Sequence, residues 1–138
     1  MKDPKAEGKR WLEQASRDLQ AAEAIHKGRL WWIACFQAQQ AAEKAVKAFL
    51  YATGERAVLG HSVAELVKQA AAKNPQFHEF SSAGSRLDRF YIPTRYPNSL
   101  PGGIPAETYT AEDAEQALQL ASAILTFVRT AFETLEEQ

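Results

Sequence analysis

Apolar side chains recur at three- and four-residue steps along most of the chain, and no segment alternates convincingly with period two. That spacing lays one apolar stripe on each helix and gives a sheet no face to bury, so the chain must fold as packed helices. Leu12, Ala15, Leu19, Ala22 and Ile25 make the first stripe. Asp3 suits an N-cap, Pro4 a first helical position and Gly28 a stop, which predicts a helix from about Pro4 to Lys27. A second helix is expected from Leu30 to Thr53, ended by Gly54. Trp31, Ala34, Cys35, Ala38, Ala42, Ala45, Val46 and Phe49 give it a broad apolar face, and Ile33, Phe36 and Tyr51 fall on the polar side. A helix apolar nearly all round is either central or has a second packing partner, for which a homodimer contact is the expected source.

Ser62 to Glu65 reads as a capping box that opens a short helix, Val63 to about Lys73. Asn74-Pro75 stops it and caps a fourth helix, on which Phe77, Phe80, Gly84, Leu87 and Tyr91 share one face. Gly84 on an apolar face implies that another helix approaches closely there. From Pro93 to Tyr109 stand four of the six prolines and two of the seven glycines, and a long non-helical excursion is expected. Thr110 with Asp113 caps the last helix, which runs to about Leu135 along Ala114, Ala117, Leu118, Ala121, Ile124, Leu125, Val128, Phe132 and Leu135. The fold class is therefore all-α: an up-and-down bundle of four main helices plus one short one, with a long proline-rich loop before the last helix.

The 138 residues fit a single domain, 1–138, with 46% apolar and 24% charged residues, a globular composition. One cysteine excludes a disulfide framework, and Cys35 lies on an apolar face as a core residue. Three histidines without metal-ligand spacing imply no metal site, and neither a phosphate-binding glycine loop nor a cofactor motif is present. The longest apolar run, Leu30 to Phe36, is far short of the ~20 residues of a membrane span. The opening residues alternate in charge with no signal core, so a soluble, cytoplasmic setting is expected. A formal charge of −1 argues against bulk electrostatic binding of nucleic acid, though not against a local patch. Charge is segregated: Arg86, Arg89 and Arg95 face only Asp88 over 81–106, whereas seven acids face only Arg129 from 107 onward.

The block Asp88-Arg89-Phe90-Tyr91-Ile92-Pro93-Thr94-Arg95-Tyr96-Pro97 sets arginines among aromatic rings where a helix gives way to a stiff loop. Guanidinium forks grip phosphate and tyrosine rings stack on bases, so the block suits a nucleotide. The competing reading has Arg95 tying down loop carbonyls or a carboxylate while Tyr91 and Tyr96 only pack. His61 follows Arg56 with four residues between and could serve as a general base beside a phosphate-stabilising arginine. Its competing reading is a local one, at the backbone of the helix that Ser62 opens. Lys44 and Lys47 are expected to be solvated, or to extend the basic surface toward the loop. Gln39 should be paired if buried.

The run Ala38-Gln39-Gln40-Ala41-Ala42-Glu43-Lys44-Ala45-Val46-Lys47-Ala48-Phe49-Leu50, then Gly54, then His61-Ser62 with Leu66, resembles the HEPN domain (higher eukaryotes and prokaryotes nucleotide-binding). Trp11 with Arg17-Asp18-Leu19 and Ala22, and Tyr91-Ile92-Pro93-Thr94-Arg95-Tyr96-Pro97, extend the resemblance over nearly the whole chain. It implies a small helical bundle, usually dimeric, with nucleotide or RNA as ligand. It also implies a small nucleotidyltransferase as partner, often in a toxin–antitoxin module. Many members are metal-independent ribonucleases with an arginine followed closely by histidine near the end of a late helix. Here no histidine follows Arg86, Arg89 or Arg95, and Arg56–His61 lies between the second and third helices. The expectation is a non-catalytic, nucleotide-binding HEPN module using Arg95, Tyr96, Arg89, Tyr91 and Lys44, without cofactor or metal. The alternatives are a ribonuclease with His61 as base and Arg56 or Arg95 on phosphate, and a structural dimeric bundle joined through Ile33, Phe36 and Tyr51.

Overall fold

The Asp3 carboxylate accepts from the Lys5 amide at 3.0 Å and Pro4 takes the first helical position, so the chain enters a helix at once. This is α1, Pro4–Lys27. The computed structural model describes residues 3–137, and in it α1 is followed by α2 (Trp31–Ala52), α3 (Val63–Ala71), α4 (Ser81–Asp88), α5 (Pro105–Thr108) and α6 (Ala111–Glu136). No strand occurs among the described residues. The bundle forms around α2, which touches α1 and α6 along its length and α3, α4 and α5 more locally. Alanines 34, 38, 41, 42, 45 and 48 of α2 are all fully buried, and their small side chains let the long neighbours approach.

The stop of α1 differs from expectation by one residue. Gly28 keeps a right-handed conformation, and Arg29 takes the positive φ, 65°. The Leu30 amide must reach the Ile25 carbonyl (3.2 Å) to close α1 while Leu30 already opens α2, so the reversal falls between them. The Arg29 guanidinium sits 5.4 Å from the Trp31 ring, which offsets part of the steric cost of that conformation. At the far end of α2, Gly54 stops the helix as expected: the Glu55 amide bonds the Leu50 carbonyl at 3.1 Å.

Of the two readings of the apolar surround of α2, its central place in the bundle accounts for most of it. Trp11 of α1 stacks on Tyr51 with ring centres 5.1 Å apart, and Tyr91 lies 6.0 Å from Phe36, while Ile33 stays exposed.

The segment expected as one fourth helix is divided into a 3-10 turn, Pro75–Phe80, and α4. A 3-10 turn eclipses residues three apart, which brings Phe77 and Phe80 to the same neighbour. Their rings lie 4.8 and 4.9 Å from Phe127 of α6, and Phe77 also meets Phe49 of α2 at 4.6 Å. The proline-rich stretch is likewise not free of helix: a 3-10 turn at Pro97–Ser99 and α5 each open on a proline, where the missing amide would have had no partner. The Thr110 box closes fully despite its aspartate. Asp113 donates its amide to Thr110 Oγ1 at 3.2 Å, and the Thr110 amide donates to Asp113 Oδ2 at 2.8 Å.

Candidate functional site: an arginine and histidine cluster at the start of α3

Gln39, Gln40, Glu43 and Lys47 share one edge of α2, as their helical spacing requires. Gln39 is fully buried, and its amide donates to the His61 carbonyl at 2.8 Å and to Asp88 Oδ1 at 3.2 Å. It is paired, as a buried amide must be. Gln40 donates to Gln39 Oε1 at 2.8 Å and to Glu43 Oε1 at 3.2 Å. Glu43 stands 3.1 Å from His61 Nδ1 through the same oxygen and 3.3 Å from Lys47 Nζ through the other.

Asp88 closes α4 and at the same time caps α3. Its carboxylate accepts from the Val63 amide (2.7 Å), the Ala64 amide (3.1 Å) and the Ser62 hydroxyl (2.7 Å). A negative charge is favourable at a helix N-terminus, where unpaired amides converge. One consequence reaches the surface: the only acid of 81–106 is consumed inside the fold. Among the described residues, Arg86, Arg89 and Arg95 form no ion pair, whereas Lys9, Arg10, Arg17, Lys44, Lys47 and Lys73 all do.

The turns after α4 place Arg95. Thr94 is buried with its hydroxyl donating to the Phe90 carbonyl, and the Arg95 amide bonds the Ile92 carbonyl at 3.0 Å. Arg95 Nε donates to the Tyr91 carbonyl at 2.8 Å, which leaves the two terminal amino groups of the guanidinium uncommitted to any acid. The guanidinium carbon lies 4.5, 4.6 and 5.2 Å from the ring centres of Tyr91, Phe36 and Tyr96. Tyr91 in turn stacks on His61, with centres 5.2 Å apart and planes 17° apart. The Tyr91 ring is thus hemmed in by three neighbours and spaces His61 from Arg95, while Tyr96, 51% exposed, offers an open ring face.

The sequence-predicted residues distribute as follows. Arg95, Tyr96, Tyr91 and His61 come together. Arg89 is exposed in the turn next to them. Lys44 is committed elsewhere, paired to the buried Asp18 carboxylate, which also accepts from Gln14 at 2.9 Å on the α1–α2 seam. Arg56 is exposed, and no hydrogen bond or ion pair joins it to His61 among the described residues. Lys47 corrects an expectation: it is not solvated but buried, held by Glu43 and 5.8 Å from the Trp11 ring. Sequence reasoning missed Glu43, Gln40 and Phe36 as members of the cluster. The available signal was the i, i+3 and i+4 ladder Gln40–Glu43–Lys47, three polar side chains at helical spacing along an alanine-rich stretch of α2.

Cys35 is fully buried, and loss of solvent, reinforced by Asp113, pushes its thiol up to about 12, far from a nucleophile's range. No group of three metal-ligating side chains occurs among the described residues, and no described helix is long and apolar enough to cross a membrane.

This bundle, with its polar edge on α2 and the arginine-bearing turns after α4, defines a class: the family model for the HEPN domain matches residues 9–131, and the chain belongs to that family. Three relatives stand near it. A crystal structure of a Thermus thermophilus protein superposes with a TM-score of 0.80 at 41% identity, covering 89% of this chain and 96% of the other. ST0689, an archaeal HEPN homologue, does so with a TM-score of 0.77 at 36% identity, covering 96% and 99%. A Methanocaldococcus jannaschii protein named "Putative toxin MJ1304" is 28% identical over 130 residues, which span 88% of this chain and 85% of that one.

Proposed function

We propose that this chain is a nucleotide-binding HEPN protein that works with a nucleotidyltransferase partner in a toxin–antitoxin-like module. The observation that carries the ligand half is Arg95, whose guanidinium is exposed, braced by three rings and free of any carboxylate partner among the described residues. A planar fork held in this way is preorganised for phosphate. Tyr96 supplies an adjacent ring face for a base, and Arg89 adds positive charge. Family membership and the M. jannaschii relative's name as a toxin support the module. Calorimetric titration with ATP, GTP and nucleoside monophosphates tests the ligand half. Heat with at least one of them, lost in Arg95→Ala, is expected; no heat with any of them overturns it.

One observation favours a second reading. A buried carboxylate bonded to the Nδ1 of an exposed imidazole is an arrangement that suits a general base, and Glu43–His61 has it. In that reading the protein is a metal-independent ribonuclease, with His61 as base and Arg95 on the phosphate. RNA cleavage in EDTA that is lost in His61→Ala supports it; no cleavage, or cleavage equal in the variant, removes it.

A further inference from the structure

The Lys47–Glu43–His61 chain runs from a buried ammonium to an exposed ring. The side chains of Lys47 and Glu43 are 7% and 4% exposed, and that of His61 is 58% exposed. A buried ion pair is weak evidence for stability, because desolvation offsets most of its attraction. Its geometry does have a definite effect on the imidazole. Glu43 Oε2 receives the Lys47 ammonium, and Oε1 receives the Gln40 amide and faces His61 Nδ1. Stacking on Tyr91 holds the plane of the ring, Gln39 holds the His61 carbonyl, and the contact of Nδ1 with Glu43 opposes a flip within that plane.

We propose that Glu43 is a positioning residue that fixes the His61 proton on Nδ1 and leaves Nε2 a bare acceptor at the mouth of the cluster. A carboxylate only accepts, so the nitrogen facing it must donate, and a neutral imidazole has one donor. Unrestrained imidazole prefers the opposite tautomer, with the proton on Nε2. The ligand edge of His61 therefore asks for a hydroxyl or amino donor, while Arg95, beyond Tyr91, asks for an anion. The site fits a phosphorylated molecule that also carries hydroxyl or amino groups better than free phosphate. This last clause rests on the nucleotide-binding reading; the tautomer does not.

The test is nitrogen NMR of the imidazoles in the ligand-free protein at about pH 8, above the ordinary imidazole range, with exposed His78 as the internal reference. His61 is expected to show a protonated Nδ1 and an unprotonated Nε2. Glu43→Gln is expected to reverse them. The Lys47 ammonium can only donate, so the new carbonyl oxygen turns to it and the new amide faces Nδ1, which must then accept. Opposing two donors at the buried ammonium would cost more than the hydrogen bond from Gln40 that is lost. Adding Lys47→Met frees the amide to turn and is expected to restore the original tautomer. A wild-type spectrum with the proton on Nε2 overturns the proposal, as does a Glu43→Gln spectrum unchanged from wild type. The wild-type spectrum decides even if a variant fails to fold. Failure of nucleotide titration alone would leave the tautomer result standing and count against the ligand reading instead.

Discussion

Cys35 is the residue whose environment can be read most directly in solution. Its thiol is neutral in the folded chain up to about 12, against an ordinary 9.0, because no water reaches it. The folded value lies above the unfolded one, so below about 9 both states hold the proton and folding is unaffected. Above it the unfolded chain releases the proton first, and stability falls by up to about 1.4 kcal/mol per pH unit toward the folded value. Urea unfolding at stepped alkaline pH should show this slope, and Cys35→Ala should flatten it. Tyr109, raised by burial and by Cys35 and Asp113 beside it, keeps part of the slope in the variant. A thiol reagent at neutral pH should react only as fast as the chain opens. That Cys35 is core was legible from its place on an apolar stripe. The work of Asp88 was not, because its four partners lie 24 to 49 residues upstream and only the fold brings them near.

At the scale of elements, caps and stripes were legible because their causes are local. Asp3, Ser62 and Thr110 each bond an amide two or three residues on, and such spacing is visible in a string of letters. The split of the expected fourth helix was not visible, since it follows from where Phe127 stands. Two glycines inside helices test the packing. A Cβ on Gly84 would lie 2.9 Å from the backbone of Ala64, at the start of α3. One on Gly8 of α1 would meet the Ala48 carbonyl at 2.7 Å and Phe132 at 2.9 Å, where α1 lies against α2 and α6. Alanine is the better helix former by about 1 kcal/mol, but overpacking a rigid contact costs typically about 1–3 kcal/mol. Both Gly→Ala changes should therefore lower the unfolding temperature, Gly8→Ala the more, because three elements would have to shift there. A rise at either position would mean that the helices are further apart than described. Gly84 announced itself in the sequence by sitting on an apolar face; Gly8 did not.

Across the whole molecule, charge has been sorted by pairing as much as by placement. Asp88 is consumed by α3, Glu43 by Lys47 and His61, and Asp18 by Lys44 and Gln14, so the arginines after α4 are left facing solvent with no acid of their own. Among the described residues none of the seven acids from 107 onward forms an ion pair with Arg86, Arg89 or Arg95. A net charge near zero hides this local excess, which is why composition excluded bulk binding of nucleic acid yet left a focused site open. Arg95 supplies the decisive comparison. Arg95→Lys keeps the charge but loses the fork and most of the stacking on Tyr91, Phe36 and Tyr96. Charge alone would preserve nucleotide affinity in that variant, whereas bidentate, ring-braced recognition predicts at least a roughly tenfold loss, about 1.4 kcal/mol. Arg95→Ala should lose more. Because the side chain is exposed, both variants should unfold within a few degrees of the wild type, the loss of exposed cation–π contacts being worth about 0.5–1 kcal/mol. Titration at low and high salt separates the two contributions. The wild type should weaken as salt rises, because exposed charges are screened. Arg95→Lys should weaken similarly but from a lower start. Equal affinity of Arg95→Lys and wild type at both salts would mean that the rings around Arg95 only pack, and that the site reads charge without shape.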